Sequence, residues 1–354
     1  MDTSAPPDRE TSCGAAAPIL TEMLWPGVNS QEWDDFVTLS SQGSVFCRSW
    51  WLNAVAPGRH AVLVLRNDGR IVAGMPLTWT GPKPFETICM PLLTQTLGVL
   101  LEPPRSPIYA RNLANEMEMM ERLIEALPPF RELTIQCNYR FMNWLPFYWA
   151  EFSQTTRYTY VLHDLTNLDA VFAAFAHAKR KNIRKAERVV SVHRDLSCDE
   201  FYDNHVLTLR KQGEKIAYDH ALFKRIYEAA YQNNSGRSWY AIDADRNIHA
   251  AIFVIWDPKS AYYLISSIDP DFRNSGAATL LIRDCIAHVA GFTSKFDFEG
   301  SMIRGVERSF RNLGGIQAPY FRIAKDNRSP WAKLCSKASR LVSQYVRRGR
   351  EVEE

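Results

Sequence analysis

The 354-residue sequence lacks the patterns of a secreted or membrane-spanning protein. Its seven cysteines are scattered and odd in number, and none belongs to a Cys-x-x-Cys pair. This distribution argues against a disulfide framework and a structural zinc site, and it favours a reducing, cytoplasmic location. No apolar run approaches the roughly 18 residues that a membrane-spanning helix needs. Residues 1–18 show no positively charged start before an apolar core, so they do not predict a secretory signal.

Strong charge is also missing. The formal net charge is only +3 at pH 7, which does not by itself indicate nucleic-acid binding. The eight histidines show no metal-ligand spacing, and no metal site is predicted. What is present is a globular composition, with 46% hydrophobic and 23% charged residues, in a chain long enough for two domains of ordinary size.

Strand and helix patterns follow one another in a similar order in the two halves. In the first half, strands are predicted at 61–66, 71–79, 96–101, 132–136 and 158–162, a helix at 112–127, and an aromatic-rich stretch lies at 141–152. In the second half, helices are predicted at 168–188, 199–211 and 219–232, and strands at 189–194, 239–243, 249–256 and 319–324. The Asn67-Asp68-Gly69 sequence predicts a hairpin turn between the first two strands. This mixed order predicts an α/β or α+β fold. The two sequences do not repeat, so the shared order is only weak support for duplication.

Two segments near the C-terminus carry the most chemistry. Residues 261–290 read as an apolar strand, a loop of small residues and a helix, and residues 295–315 read as a short strand and another helix. Free backbone N–H groups and the helix dipole converge where a helix begins, so a small-residue loop there can hold a phosphate. The alternative is an ordinary strand-to-helix connection. The residues predicted to bind the phosphate are Arg273, Asn274, Ser275, Gly276, Ala277 and Ala278.

The short strand carries two carboxylates, Asp297 and Glu299. Strand alternation places both on one face, while Phe296 and Phe298 point to the core. Two carboxylates on one face repel each other, which raises the pKa of one and makes it a candidate general base. The alternative is that they pair with arginines or cap the turn at Gly300.

Basic residues cluster on two predicted helices and in the C-terminal tail. The first cluster comprises Lys179, Arg180, Lys181, Arg184, Lys185 and Arg188. In the helix at 301–313, arginines at 304, 308 and 311 form one stripe beside an apolar stripe that faces the core. A solvated face explains both clusters, and contact with a phosphate-bearing substrate is the alternative. The candidate substrate contacts are Lys179, Arg180, Arg184 and Arg304. Residues 329–354 predict a basic amphipathic helix, which packs on its own domain or contacts a membrane surface.

Three sequence motifs carry a resemblance to a known family. They are FDFEGSMIRGVERSFRNLGG at 296–315, KRKNIRKAER at 179–188 and FCRSWW at 46–51. Together they resemble the FemAB-like acetyltransferase group, which is built from two GNAT-type acyltransferase domains in tandem. The resemblance covers roughly residues 50–325. GNAT enzymes bind the pyrophosphate of coenzyme A through an Arg/Gln-x-x-Gly-x-Gly/Ala loop, and Arg273 to Ala278 fit that pattern.

This resemblance implies a fold and an activity. The expected fold is two tandem GNAT-like domains, each a mixed twisted sheet flanked by helices, at residues 21–164 and 165–328. A disordered lead-in at 1–20 precedes them, and the basic helix at 329–354 follows. The implied activity is transfer of an acyl group, expected to be acetyl, from acyl-CoA to an amine of a sugar or a cell-envelope or polysaccharide precursor. Backbone N–H groups of the strand at 262–268 would orient the thioester, and Asp297 or Glu299 would accept the proton.

Two alternatives remain. One is a FemAB-type aminoacyltransferase, which takes its amino acid from aminoacyl-tRNA and builds peptidoglycan cross-bridges. That branch has a Phe-Lys-x-x-Phe-Gly ending. Alignment on Gly314 puts Phe310 at the lysine position, so this sequence departs from it. The other is a non-catalytic protein that recognises a glycan or lipid head group and neither binds nor turns over acyl-CoA. A nucleic-acid partner is expected only under the first alternative.

Overall fold

Strands from both halves of the chain join in one sheet, in a computed structural model that describes residues 19–329. The strands are β1 (Leu20–Leu24), β2 (His60–Asn67), β3 (Arg70–Thr80), β4 (Thr87–Ile88), β5 (Leu100–Leu101), β6 (Glu132–Gln136), β7 (Ser153–Leu162), β8 (Ser191–Arg194), β9 (Gly236–Ile242), β10 (Ile248–Trp256), β11 (Ala261–Ile268), β12 (Phe296–Asp297) and β13 (Ile316–Asp326). The helices are α1 (Ser30–Leu39), α2 (Ser49–Val55), α3 (Tyr109–Glu125), α4 (Leu145–Trp149), α5 (Leu168–Ala173), α6 (His177–Ala186), α7 (Cys198–Lys211), α8 (His220–Gln232), α9 (Ala277–Val289) and α10 (Arg304–Arg311).

The two halves exchange their last strands. The sheet has the order β1-β2-β3-β4-β6-β13-β7-β12-β11-β10-β9-β8, and β5 pairs with β3. Strand β7 ends the first half but pairs with β12 of the second, and β13 ends the second half but pairs with β6 of the first. Strands β7 and β13 pair with each other antiparallel, from Ile316↔Val161 to Ala324↔Ser153. This mixed sheet flanked by helices confirms the predicted fold class, whereas the domain boundary between residues 164 and 165 stays a prediction.

The halves have the same topology on either side of the β7–β13 junction. Strand β4 runs parallel to β6, and β11 runs parallel to β12. In each half a long helix, α3 or α9, lies in the connection between these parallel strands. The weak similarity of element order in the sequence therefore corresponds to a matching arrangement of strands.

A shared apolar core holds the halves together. The ring of Phe46 lies 4.8 Å from the ring of Tyr262, across the boundary between the halves. The Lys259 ammonium donates to three backbone carbonyls at the end of α1, where the helix dipole is negative. Arg225 Nε donates to the carbonyl oxygen of Ala54, which joins α8 to α2. Because these contacts fix the halves relative to each other, residues of both can line one cavity.

The predicted helix at 168–188 is two helices. Helix α5 begins at an N-cap, where the Asn167 side chain accepts the N–H of Ala170. It ends at Ala173, and α6 begins at His177. Between them the backbone of Ala176 is extended, and its N–H donates to the carbonyl of Asn312 at the end of α10. A tertiary hydrogen bond therefore breaks a segment whose local pattern favours one continuous helix.

The strand predicted at 96–101 is also shorter than expected. Leu97 bridges to Gln136 of β6, and only Leu100 and Leu101 then pair with β3, because the segment crosses from one partner to the other. Residues 20–55 contain β1, α1 and α2, which the sequence reasoning did not predict, and Leu20 begins β1 where a lead-in was expected.

The predicted tail helix, beyond residue 329, lies outside the described residues, as does nearly all of the lead-in. None of the helices described between residues 19 and 329 has the length and apolar character needed to span a bilayer.

Candidate active site

The sheet opens between β11 and β12. These parallel strands pair only at Ala261↔Phe296 and Tyr262↔Asp297, after which β12 ends and β11 continues. A register shift against β10 adds one residue to β11 between Tyr262 and Ile265, which makes a β-bulge. A cavity of about 440 Å³ lies at this opening. The first half contributes Leu93, Thr94, Gln95 and Gln136 to its lining, the β7–β13 junction contributes Arg157, Tyr158 and Tyr320, and the second half contributes Leu264 and residues 299–303.

Asp297 is buried at the point where the two strands separate. Its carboxylate accepts a hydrogen bond from Thr159 Oγ1 and another, of 2.7 Å, from the backbone N–H of Glu299. Burial raises the pKa of Asp297 to about 6, and hydrogen bonds from Thr159, the Glu299 N–H and Gln95 oppose the rise. Asp297 therefore ties the end of β12 to β7 and to the turn that follows.

Glu299 has different surroundings, although it is only two residues away. Its φ angle of 60° is left-handed, so the strand alternation that predicts the direction of its side chain ends before this residue. Its Oε1 atom is buried and has no hydrogen-bond partner among residues 19–329. Burial raises the pKa of Glu299 well above its usual range, and the charge of Asp297 raises it further. Glu299 is thus a carboxyl group that lines the cavity without a counter-ion within 4 Å in the described part of the chain.

One face of β12 is apolar and packs on the core instead of lining the cavity. Phe296 and Phe298 are buried in the core cluster that contains α9, and the ring of Phe298 stacks on that of Phe310 at 5.2 Å. Gly300 then turns the chain close to β7, because a Cβ atom on it would lie 2.0 Å from the carbonyl oxygen of Tyr158. With a φ angle of 60° as well, this position requires glycine.

Polar residues of the first half complete the site. Trp51 Nε1 donates to Thr94 Oγ1 at 3.0 Å, which fixes the cavity wall. Next to it, Gln95 Nε2 donates to Thr159 Oγ1 at 3.3 Å, and Gln136 Nε2 donates to the carbonyl of Gln95 at 3.0 Å. Sequence reasoning missed these residues. The polar Thr-Gln-Thr sequence inside the apolar run at 92–101 is the feature that could have identified them.

The predicted phosphate loop, residues 273–278, lies where β11 leads into α9. Gly276 is the N-cap residue of α9, with a φ angle of 87°. The N–H of Ala277 donates to Ser275 Oγ at 3.2 Å. Helix α6 covers part of the loop, since a Cβ atom on Gly276 would lie 2.3 Å from the carbonyl oxygen of Asn182. The structure therefore brings all six predicted loop residues to the start of α9 and adds α6 as their neighbour.

The basic residues of α6 lie beside this loop. Lys185 Nζ donates to the carbonyl oxygen of Asn274 at 2.7 Å. On the same helix, Lys179 Nζ donates to Ser309 Oγ at 2.7 Å, which joins α6 to α10. The two predicted basic helices are thus neighbours, and α6 also contacts the loop before α9.

The four predicted substrate contacts have separate roles in the structure. Lys179 is half-buried, and burial lowers the pKa of its ammonium group. Arg180 donates to the carbonyl of Ala173 at the end of α5. Arg184 and Arg304 are exposed and make no ion pair within residues 19–329. None of the four lines the cavity.

One group of side chains has metal-ligand spacing that the sequence did not reveal. Cys198, Asp199 and His220 meet at the starts of α7 and α8, with His220 Nε2 2.8 Å from Asp199 Oδ1. Burial raises the pKa of the Cys198 thiol to about 11, and the charges of Asp199 and Glu228 raise it further. None of the three residues lines the cavity.

Comparison with known proteins gives a family for the second half of the chain. Residues 173–320 match the family model described as an acetyltransferase (GNAT) domain. No curated protein matches the sequence.

The structure resembles three solved proteins over most of their length. FemX has a TM-score of 0.61 and 10% identity, with 85% of this chain and 96% of FemX covered. A tandem GNAT protein from the clavulanic acid biosynthesis pathway has a TM-score of 0.52 and 11% identity, with 88% and 99% covered. L-PGS from Bacillus licheniformis has a TM-score of 0.51 and 9% identity, with 88% and 96% covered. At these identities the likeness is one of fold, and it confirms the predicted tandem GNAT-like architecture.

Proposed function

We propose that this chain, a GNAT-type acyltransferase of the FemAB-like tandem group, transfers an acyl group from acyl-CoA to an amine in the cytoplasm. The family match and the fold support the class of reaction. The identities of the donor and the acceptor are what we propose. The acyl group is expected to be acetyl, and the amine belongs to a sugar or to a cell-envelope or polysaccharide precursor. The observation that carries this proposal is the opening between β11 and β12, which has the phosphate loop beyond the end of β11 and Glu299 beyond the end of β12.

The donor fits the β11 side of this opening. The start of α9 offers backbone N–H groups and the positive end of the helix dipole to a pyrophosphate, and the basic side chains of α6 lie beside it. The β-bulge in β11 brings Leu264 into the lining of the cavity. Because β12 ends at Asp297, N–H groups of β11 beyond this point are available to orient the thioester carbonyl and to stabilise its developing negative charge.

The acceptor fits the Glu299 side. An ammonium ion placed beside Glu299 lowers the pKa of that carboxyl group and loses a proton to it. The neutral nitrogen attacks the thioester carbonyl carbon and the carbon–sulfur bond breaks. The nitrogen then loses a second proton to the departing sulfur, so that coenzyme A leaves as the thiol and the amide is neutral. Asp297 acts indirectly. It accepts the N–H of Glu299 and so holds the turn, and its charge raises the pKa of Glu299, which makes Glu299 a stronger base.

The first half of the chain is proposed to supply a wall of the acceptor site and not a second donor site. In the first half, the position equivalent to the opening between β11 and β12 lies between β4 and β6. There Leu97 forms a bridge with Gln136 of β6. Helix α3 of this half follows Pro103, Pro104 and Pro107, which have no backbone N–H to offer to a phosphate.

A substitution at Ala278 tests the donor site. Gly276, the obvious choice, is unsuitable because any side chain there meets the backbone of α6. Ala278 is the second residue of α9, so Ala278→Asp places a carboxylate where the pyrophosphate would bind. We expect coenzyme A affinity to fall by about tenfold or more, on the order of 1.4 kcal/mol. We expect the melting temperature to hold or rise, because an acidic residue favours a helix N-terminus. Calorimetry and a thermal melt measure the two quantities.

The matched control for this test is Ala221→Asp. Ala221 is the second residue of α8, is exposed, and follows the capping residue Asp219 just as Ala278 follows Gly276. The control makes the same charge change at a helix start away from the opening, so it should leave coenzyme A affinity unchanged. Equal coenzyme A affinity in wild type and Ala278→Asp would mean that the donor does not bind at this loop.

The tRNA-dependent alternative makes a different prediction. At the position of the lysine in that branch, Phe310 is buried against Phe298 and Tyr263, so no cation is available there. We expect product formation from acyl-CoA to be insensitive to ribonuclease and to added charged tRNA. If transfer requires charged tRNA, and its binding weakens steeply with salt as released counterions demand, the alternative is correct and the donor proposal is wrong.

Experiments with the acyl donor distinguish the non-catalytic alternative from the proposed enzyme. A glycan- or lipid-binding protein with this fold would show neither a thermal shift with acetyl-CoA nor release of a free thiol. The proposed enzyme shows both in the presence of an acceptor.

A further inference from the structure

Arg157 is a cation in the wall of the acceptor cavity. It lies on β7 two residues before Thr159, so it shares the strand face from which Thr159 donates to Asp297. In the β7–β13 ladder it pairs with Tyr320, which also lines the cavity. Burial raises the pKa of Tyr320, and the nearby Arg157 guanidinium opposes that rise, which places the two side chains in contact range.

No carboxylate lies within 4 Å of the Arg157 guanidinium in the described chain, residues 19–329. Several other half-buried arginines do have such partners, among them Arg66 with Glu22 and Glu32, and Arg328 with Glu132. An arginine keeps its charge at all accessible pH values, and its planar fork matches a carboxylate or phosphate through two hydrogen bonds. A half-buried arginine without an acidic partner, in the wall of a cavity, is therefore suited to an anion supplied by a ligand.

The lining of the cavity thus contains both a cation and a carboxyl group. Arg157 is the cation. Glu299, whose buried Oε1 has no hydrogen-bond partner in the described part of the chain, carries a negative charge when it is ionised. The rest of the lining is uncharged, with the polar side chains of Thr94, Gln95 and Gln136 beside the apolar side chains of residues 93, 264, 302 and 303. Its volume of about 440 Å³ lies in the range of small-molecule sites.

We propose that the acceptor carries an anionic group as well as its amine, and that Arg157 binds this carboxylate or phosphate while Glu299 receives the amine. The inference rests on the proposed function, since it names the class of acceptor for the same site. It makes Arg157 a specificity-determining residue: the guanidinium selects acceptors with an anion and orients their amine toward the opening between β11 and β12.

Matched pairs of acceptors test the proposal on the full chain. One pair is D-alanine and D-alaninamide, which differ in a carboxylate, and the other is glucosamine 6-phosphate and glucosamine, which differ in a phosphate. In calorimetry with the wild type, we expect the anionic member of at least one pair to bind about tenfold or more tightly than its neutral partner. The pair that shows the preference identifies the anion as carboxylate or phosphate.

The variant Arg157→Gln should reduce that preference to near parity while leaving the affinity for the neutral member unchanged. A loss of structure would weaken the binding of both acceptors of a pair equally. The ratio of their two affinities therefore reports the effect of the guanidinium and not of the fold. Arg70→Gln is the matched control, because Arg70 is an exposed strand residue that does not line the cavity. It should keep the wild-type ratio.

Two outcomes would overturn the proposal: a wild type that does not prefer the anionic member of either pair, or a preference that Arg157→Gln retains. Neither depends on acyl transfer. A protein that prefers anionic amines but releases no thiol from acetyl-CoA would contradict the proposed function and leave the anion site standing.

Discussion

Replacing Glu299 with glutamine is expected to lower the kcat for acyl transfer by about 10²–10⁴-fold, the usual effect of losing a general base. Glutamine keeps the shape of the side chain and resembles the protonated carboxyl group, but it cannot accept a proton. Because the buried Oε1 has no hydrogen-bond partner within residues 19–329, the variant should fold normally. Thiol release from acetyl-CoA gives the rate, and calorimetry should give an unchanged coenzyme A affinity.

The pH dependence of the rate follows from the same residue. Burial and the charge of Asp297 raise the pKa of Glu299, so the basic form becomes more abundant as pH rises. Wild-type kcat/KM should therefore increase with pH in a range above the usual glutamate pKa of 4.5, and the residual activity of Glu299→Gln should lack this rise.

Glu151→Gln is a matched control for this variant. Glu151 is also a glutamate in left-handed backbone, with a φ angle of 62°, but it is exposed and lies away from the cavity. The control should keep the wild-type rate and pH profile. If Glu299→Gln keeps near wild-type turnover while Asp297→Asn loses it, the base is Asp297; if both keep it, the pair is structural.

Local patterns in the sequence are sufficient to predict several elements in both halves of the chain. Strand β6 was predicted at the observed bounds, and the helices α7 and α8 within one residue of their ends, because capping residues such as Ser197 and Asp219 mark their starts. The position of the loop at 273–278 was predictable for a similar reason, since a small-residue loop between an apolar strand and a helix is a local feature. Its binding of a phosphate stays a prediction.

Long-range pairing was not predictable in this way. The exchange of β7 and β13 places Arg157 and Tyr320 in one cavity wall, although they are far apart in the sequence. Gln95 reaches Thr159 through a similar contact between distant segments. A single sequence contains no pattern that reports such neighbours.

The two carboxylates show where a local rule stops. Alternation treats Asp297 and Glu299 as equivalent because they are two residues apart on a strand. The strand ends at Asp297, however, and the left-handed backbone at Glu299 gives that side chain its own direction. Asp297 is consequently held by hydrogen bonds, whereas Glu299 is left without a partner for Oε1 among the described residues.

That difference leads to a prediction about stability. The folded-state pKa of Asp297 is about 6, above its usual value of 3.8. The folded protein therefore binds this proton more tightly than the unfolded chain. The resulting stabilisation is fully present below the unfolded pKa and is lost as pH rises through about 6. The difference corresponds to roughly 3 kcal/mol. Asparagine stays neutral, so Asp297→Asn should gain about this amount relative to wild type between acidic pH and about pH 7.

Urea denaturation of both proteins across that pH range measures the change, because the free energy of unfolding extrapolates linearly to water. The comparison removes the contributions of other titrating groups, which both proteins share. Asp245→Asn, in the exposed turn between β9 and β10, controls for removal of a carboxylate at the surface and should show no such trend. A free-energy difference between wild type and Asp297→Asn that does not vary with pH would mean that the pKa of Asp297 is the same in the folded and the unfolded chain, and the predicted effect of its burial would be wrong.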